Sequence, residues 1–175
     1  MGTESPTGRS GGGVDFSSIN RNDLGVMIAG AVAFIASFLP YWGFSYKFGG
    51  VGTSASISAW HSYATIGLLL LFAAAIVIAV KTFAAGSLPS NLPVGLHVAA
   101  AGLAALGLLL LVLRAFTYPH ASVPGGSYGV KWGAYVLFIA GIAEVVFAIL
   151  GMRESGEEIP GMNRGTAAPP APPAA

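Results

Sequence analysis

Long apolar stretches recur four times along the chain, at Leu24 to Gly43, Ser62 to Val80, Val94 to Leu113 and Trp132 to Gly151, each 19 or 20 residues long. At a rise of about 1.5 Å per residue each one covers the roughly 30 Å hydrocarbon core of a bilayer, so the pattern predicts four transmembrane helices. The first stretch is too long for a signal-peptide core, and it ends in Leu39, Pro40, Tyr41 and Trp42 rather than in small cleavage-site residues. Pro40 is expected to end or kink that helix, and Asn22 and Asp23 to cap its start. The fold class read from this pattern is an all-α membrane protein with its four helices in a bundle. Residues 22–152 form the transmembrane domain, between a disordered tail at 1–21 and an Ala/Pro-rich tail at 153–175. Lys81 to Pro93 joins the second and third helices, its prolines stopping one and starting the other.

The helix faces suggest close packing. Gly25, Ala29, Ala33 and Ser37 recur every four residues, as do Ala140, Glu144 and Ala148, and Ala100, Ala101, Ala104 and Ala105 crowd the third helix. Small residues let helix backbones approach closely in lipid, where packing drives association. The same faces would equally serve self-association. A shift of 72 residues aligns Phe44-Ser45-Tyr46 with Phe116-Thr117-Tyr118, Trp60 with Trp132, Tyr63 with Tyr135, Leu24 with Leu96 and Gly30 with Gly102. That correspondence raises two tandem helical hairpins as the plan of the bundle, against aromatic residues gathering independently at a membrane interface.

Composition sharpens the membrane reading. Hydrophobic residues make up 54% of the 175 and charged ones 9%, with a mean hydropathy of +0.73, where a soluble domain carries about 25% charged residues. A formal net charge of +1 excludes a polybasic nucleic-acid binder, and the absence of cysteine removes disulfides, thiolate metal sites and thiol nucleophiles. With both termini in the cytoplasm, the inner side holds Arg9, Arg21, Lys81, Arg153 and Arg164 and the outer side Lys47, Arg114 and Lys131. Five against three favours that orientation, in the plasma membrane. Every tyrosine and tryptophan then gathers at the outer face: Tyr41, Trp42, Tyr46, Trp60, Tyr63, Tyr118, Tyr128, Trp132 and Tyr135. Two readings of this cap stand: loops packing on their own aromatics and on headgroups, or a docking surface for an extracytoplasmic partner.

Candidate chemistry is sparse. Glu144 is the lone carboxylate inside a span, about 18 Å along its helix from Trp132 and about 10 Å from Gly151. A carboxylate in hydrocarbon costs about 2.5 to 3.5 kcal/mol on insertion scales, which makes it a candidate site unless it is simply protonated and hydrogen-bonded to a neighbouring helix. His97 is its natural partner in depth, the other reading being an interfacial histidine facing water. His61 and His120 lie outside with no carboxylate beside them, so neither a Ser-His-Asp triad nor a metal site is expected, and no cofactor is implied.

The stretch FIASFLP from Phe34 to Pro40, LPVGL from Leu92 to Leu96, and Trp132 leading an apolar helix with a polar residue at 144 resemble the actinobacterial small four-helix membrane proteins typified by the mycobacterial thirty-four-kilodalton antigenic protein. The likeness covers residues 22–152. It implies a multi-pass plasma-membrane protein linked to the envelope through protein contacts. The chain departs from that family in its short Ala-Pro end, where the family carries a long Pro/Gly/Gln/Tyr-rich tail, and in a carboxylate at 144 where the family has an amide. The leading expectation is a non-enzymatic scaffold or partner subunit, in contact with the bilayer and with a membrane protein or a second copy. The alternative is a small transporter or proton-linked channel that uses Glu144.

Overall fold

The computed structural model describes residues 19–84, 86, 94–118, 124, 126–157 and 159. Most of the tails, the greater part of the 81–93 connection and His120 lie outside the described residues. Four helices and a small sheet follow in chain order: α1 (Arg21–Ala36), β1 (Trp42–Phe48), β2 (Val51–Ile57), α2 (Ala64–Phe83), α3 (Leu96–Phe116), β3 (Gly126–Val130) and α4 (Trp132–Ser155). The helices form a ring in which each packs on its two sequence neighbours and α1 closes on α4. Three of them, α2, α3 and α4, are long and apolar enough to cross a membrane, with mean hydropathies of 2.5, 2.4 and 2.3.

Many of the buried positions are small residues, beside Leu68, Leu71, Ile78, Leu111 and Leu137, while many large apolar residues face outward. Ala33, Ala74, Ala100, Ala104, Ala134 and Ala148 are buried, whereas Ile35, Ile66, Ile76, Leu109 and Ile139 are exposed. This inverts the usual arrangement of a water-soluble core and suits helices that associate by close contact with lipid outside. The seam between α2 and α3 shows the closeness. A methyl group at Gly67 would stand 2.8 Å from the Gly107 carbonyl oxygen, and one at Gly107 would stand 2.6 Å from that of Gly67. Neither backbone can move without opening the whole seam.

Three sequence expectations need correction. The first apolar stretch does not stay helical to Gly43, because α1 has 16 residues, about 24 Å, and ends at Ala36. Pro40 has no N–H to continue the ladder, and the carbonyl of Ser37 instead accepts from Ala59 N–H. Asn20, not Asn22 or Asp23, caps α1, its side chain accepting from the Asn22 N–H at 2.7 Å. The all-α description holds only in part: the chain is mostly helical, but the sequence between α1 and α2 forms a β-hairpin and β3 joins it in a three-stranded antiparallel sheet of order β2-β1-β3. Gly49 and Gly50, at φ of 57° and 84°, supply the two left-handed positions of the tight turn.

The tandem-hairpin correspondence does not survive in the loops. Phe44, Ser45 and Tyr46 lie in β1, whereas Phe116 ends α3 and Thr117 caps it. Trp60 is half-buried and donates from Nε1 to Ser37 Oγ at 3.0 Å, whereas Trp132 opens α4 in an exposed position. Gly30 is buried between helices, while its counterpart Gly102 meets nothing within 4 Å. The matching residues share an interface location and little of their local structure.

Candidate functional site

The two ends of the bundle carry different chemistry. At the terminal end, all four helices converge on His97, in the first turn of α3. Its Nε2 lies 2.8 Å from Asp23 Oδ1 of α1 and 3.1 Å from Lys81 Nζ of α2. Lys81 in turn donates to Asp23 Oδ2 at 2.9 Å. Beyond α4, Gly156 adopts the left-handed conformation at φ 69° and turns the chain so that Glu157 reaches back over the start of α3. One Glu157 oxygen accepts from the N–H groups of His97 and Val98 at 2.9 and 3.1 Å, which caps a helix that has no capping side chain of its own. The other lies 3.1 Å from His97 Nδ1. Nδ1 therefore faces a carboxylate oxygen that can only accept, whereas Nε2 lies between an accepting Asp23 oxygen and the donating Lys81 ammonium. Lys81, Asp23, His97 and Glu157 thereby form one contiguous polar cluster.

Glycine makes this cluster possible. The His97 ring packs against Gly151, where a methyl group would come within 2.6 Å of Cδ2, and any side chain at Gly95 would collide with the Glu157 carboxylate. α4 has 24 residues, about 36 Å against the roughly 30 Å of a hydrocarbon core, and its last turn follows the apolar stretch that ends at Gly151. In that turn Glu154 accepts from the amides of Asn20 and Asn22 at 2.9 and 2.7 Å, and these hydrogen bonds hold its carboxyl below the ordinary carboxylate range. N- and C-terminal flanks of the bundle are thereby tied together.

Glu144 stands apart from this cluster. His97 is level with Gly151, about 10 Å further along α4, so the expected Glu144–His97 pair does not form. The carboxyl group points into the interior instead, completely buried, with one oxygen beside Gly30 of α1 near Ala75 of α2. Neither of its oxygens has a hydrogen-bond partner among the described residues.

The sheet end is aromatic. Tyr41 is buried, and its hydroxyl donates to the Leu111 carbonyl oxygen of α3. Trp42 stacks on Tyr118 with ring centres 4.0 Å apart and lies 5.7 Å from Tyr128. The Arg114 guanidinium sits over both Tyr118 and Tyr63, at 4.0 and 5.1 Å from the ring centres. Tyr63 also hydrogen-bonds Thr117, and Trp60 packs against Phe38 and Phe72. Tyr46 stacks with Phe44 on the same face of β1. Trp132 and Tyr135 alone among the nine point outward with more than half their surface exposed.

Between α1 and α4 runs an apolar surface groove of about 380 Å³, floored by Gly25, Ala29, Ala140 and Ala143 and walled by Ile28 and Phe147; Glu144 is not among its lining residues. Among the described residues no group of three or more His, Cys, Asp or Glu is placed to hold a metal ion. Sequence reasoning singled out His97 but missed Asp23, Lys81 and Glu157 as its partners. The available signal was their spacing, because in an up-down bundle each falls where its helix starts or ends on the terminal side. No protein-family model and no curated protein matches the chain.

Proposed function

We propose that the chain is a multi-pass plasma-membrane protein that acts as a non-enzymatic scaffold or partner subunit, with both termini in the cytoplasm. α2, α3 and α4 cross the bilayer, and α1, prolonged by its turn to Leu39, lies beside them as the fourth member. The basic residues at the terminal end and the aromatic layer at the sheet end support this orientation. The observation that carries the scaffold reading is the seating of Glu144. The one carboxylate in the middle of the bundle has no surface exposure and lies beside Gly30 and Ala75. A transported proton or solute needs a path to both sides, whereas a structural bundle needs only a packed interior. The resemblance to the thirty-four-kilodalton antigenic protein group fits the same role in the cell envelope.

The proton-linked alternative draws on a different fact, that both Glu144 oxygens lack partners. Buried carboxyls without hydrogen bonds are rare outside functional positions. Crosslinking in native membranes followed by purification of the full chain decides between them. The scaffold reading expects a stable protein, another copy included, recovered in constant ratio. Recovery of the monomer alone, together with proton flux in vesicles that Glu144→Gln abolishes, would overturn it.

A further inference from the structure

The sheet ends in an unguarded edge. β2 lies at one side of the order β2-β1-β3, and Val51 through Ser56 are exposed. Natural edge strands are blunted by charge, proline, bulges or shortness. β2 has seven residues, VGTSASI, with none of these devices and an unbroken register against β1. The opposite edge, β3, is shorter at five residues and runs directly into Lys131.

The hairpin turn fixes which backbone groups are free. A two-residue turn at Gly49 and Gly50 makes Phe48 and Val51 a hydrogen-bonded pair, and antiparallel pairs alternate from there. Thr53, Ala55 and Ile57 therefore bond inward to β1, while Gly52, Ser54 and Ser56 direct their N–H and C=O groups outward. Those groups form a regular ladder that pairs with no further strand among the described residues.

We propose that this ladder pairs with β2 of a second copy, antiparallel and centred on Ser54. The strand is complementary to itself in that register. Ser54 faces Ser54, Gly52 faces Ser56, Thr53 faces Ala55 and Val51 faces Ile57, so no charges meet and like faces stay together. Val51, three-quarters exposed in the single chain, gains an apolar neighbour. On that same face lie Trp42, Phe44 and Tyr46 of β1, so the paired β2 strands run between two aromatic stripes on one face of the joint sheet. The product is one six-stranded sheet, β3-β1-β2 followed by its two-fold mate. This deepens the scaffold reading, on which it rests for the premise that the bundle works by contact, and names the partner as the chain itself.

The chain has no cysteine, so single substitutions report cleanly. In membranes holding the full chain, Ser54→Cys under copper-phenanthroline oxidation is expected to give a disulfide-linked dimer, because facing residues in such a pair lie about 5.5 Å apart. Val51→Cys is offset from its own copy by six residues, about 20 Å, and is expected to crosslink at least about tenfold more slowly. Ser54→Pro removes one outward donor at a position where the fold itself does not use it. It is expected to leave the melting temperature unchanged and to weaken dimerisation, followed by energy transfer between labelled copies, by about tenfold or more. Equal crosslinking at 51 and 54, or undiminished dimerisation of Ser54→Pro, would overturn the proposal. A different protein recovered from native membranes with no Ser54→Cys dimer would overturn it too and leave the scaffold reading standing. A Ser54→Cys dimer in a protein whose proton flux depends on Glu144 would do the reverse.

Discussion

The terminal end and the sheet end of the bundle meet the same requirement by opposite means. Each must hold four helix ends in fixed relation where the close packing of the middle runs out. The terminal end uses charge, with one imidazole, one ammonium and two carboxylates drawn from four segments distant in sequence. The sheet end uses area, with stacked rings, a guanidinium lying over two of them and a hydrogen-bonded sheet that ties the 42–57 hairpin to residues 126–130. The difference teaches where each end is fragile. Removing the buried member of a partly buried polar cluster leaves the others short of a partner, so its cost exceeds the worth of the contact that is lost. A ring in a layer shares its contacts with many neighbours and fails by degrees.

The largest effect is therefore expected from His97→Leu, which leaves Asp23 and Glu157 facing an apolar side chain. A loss of about 3 to 5 kcal/mol is expected, read as a lower melting temperature in detergent. Trp42→Ala tests the other end. Deleting the ring that stacks on Tyr118 should cost about 3 kcal/mol and loosen the sheet, with a loss of near-ultraviolet dichroism. Equal losses accompanied by equal loosening of both ends would erase the contrast between them. Tyr41→Phe removes only the hydroxyl that donates to Leu111 and should cost about 1 kcal/mol, measured by denaturant titration.

A smaller effect follows from Glu154. Because its amide partners hold its carboxyl below the ordinary range in the folded chain, its contribution is present above the ordinary carboxylate pKa and is lost as the pH falls through the lowered value. Glu154→Gln should lower stability slightly near neutral pH, leave the acid end unchanged and so flatten the acid limb of the profile, as a melting series across pH 3 to about 7 would show.

The helical architecture was legible because span length and hydropathy are additive along the chain. α2, α3 and α4 each overlap an expected stretch, and the small-residue faces of α1 and α4 do point inward. The sheet was less legible, though the alternation of Trp42, Phe44 and Tyr46 with small residues and the Gly49-Gly50 turn carry its signal. Membrane-scale windows average that alternation away. The sequence singles out His97 as a partner of Glu144 or as an interfacial histidine facing water, whereas it is buried and its partners come from the far ends of other helices. Such a pairing depends on where each helix stops, to within a turn. The stop of α4 depends on Gly156, whose left-handed conformation sends Glu157 back to α3. The seat of Glu144 beside Gly30 and Ala75, rather than near His97, likewise depends on the rotation of α4 in the ring.

Glu144→Gln is the measurement that reaches the scaffold proposal most directly, because it keeps size and polarity and removes only the capacity to exchange a proton. Melting temperature and the growth phenotype of cells that carry the variant are read side by side, with proton flux in reconstituted vesicles as the third quantity. A sealed structural bundle predicts a melting temperature at or above that of the parent, a parental phenotype and no flux in either protein. A parental melting temperature with lost function and a flux that vanishes with the carboxyl would contradict it.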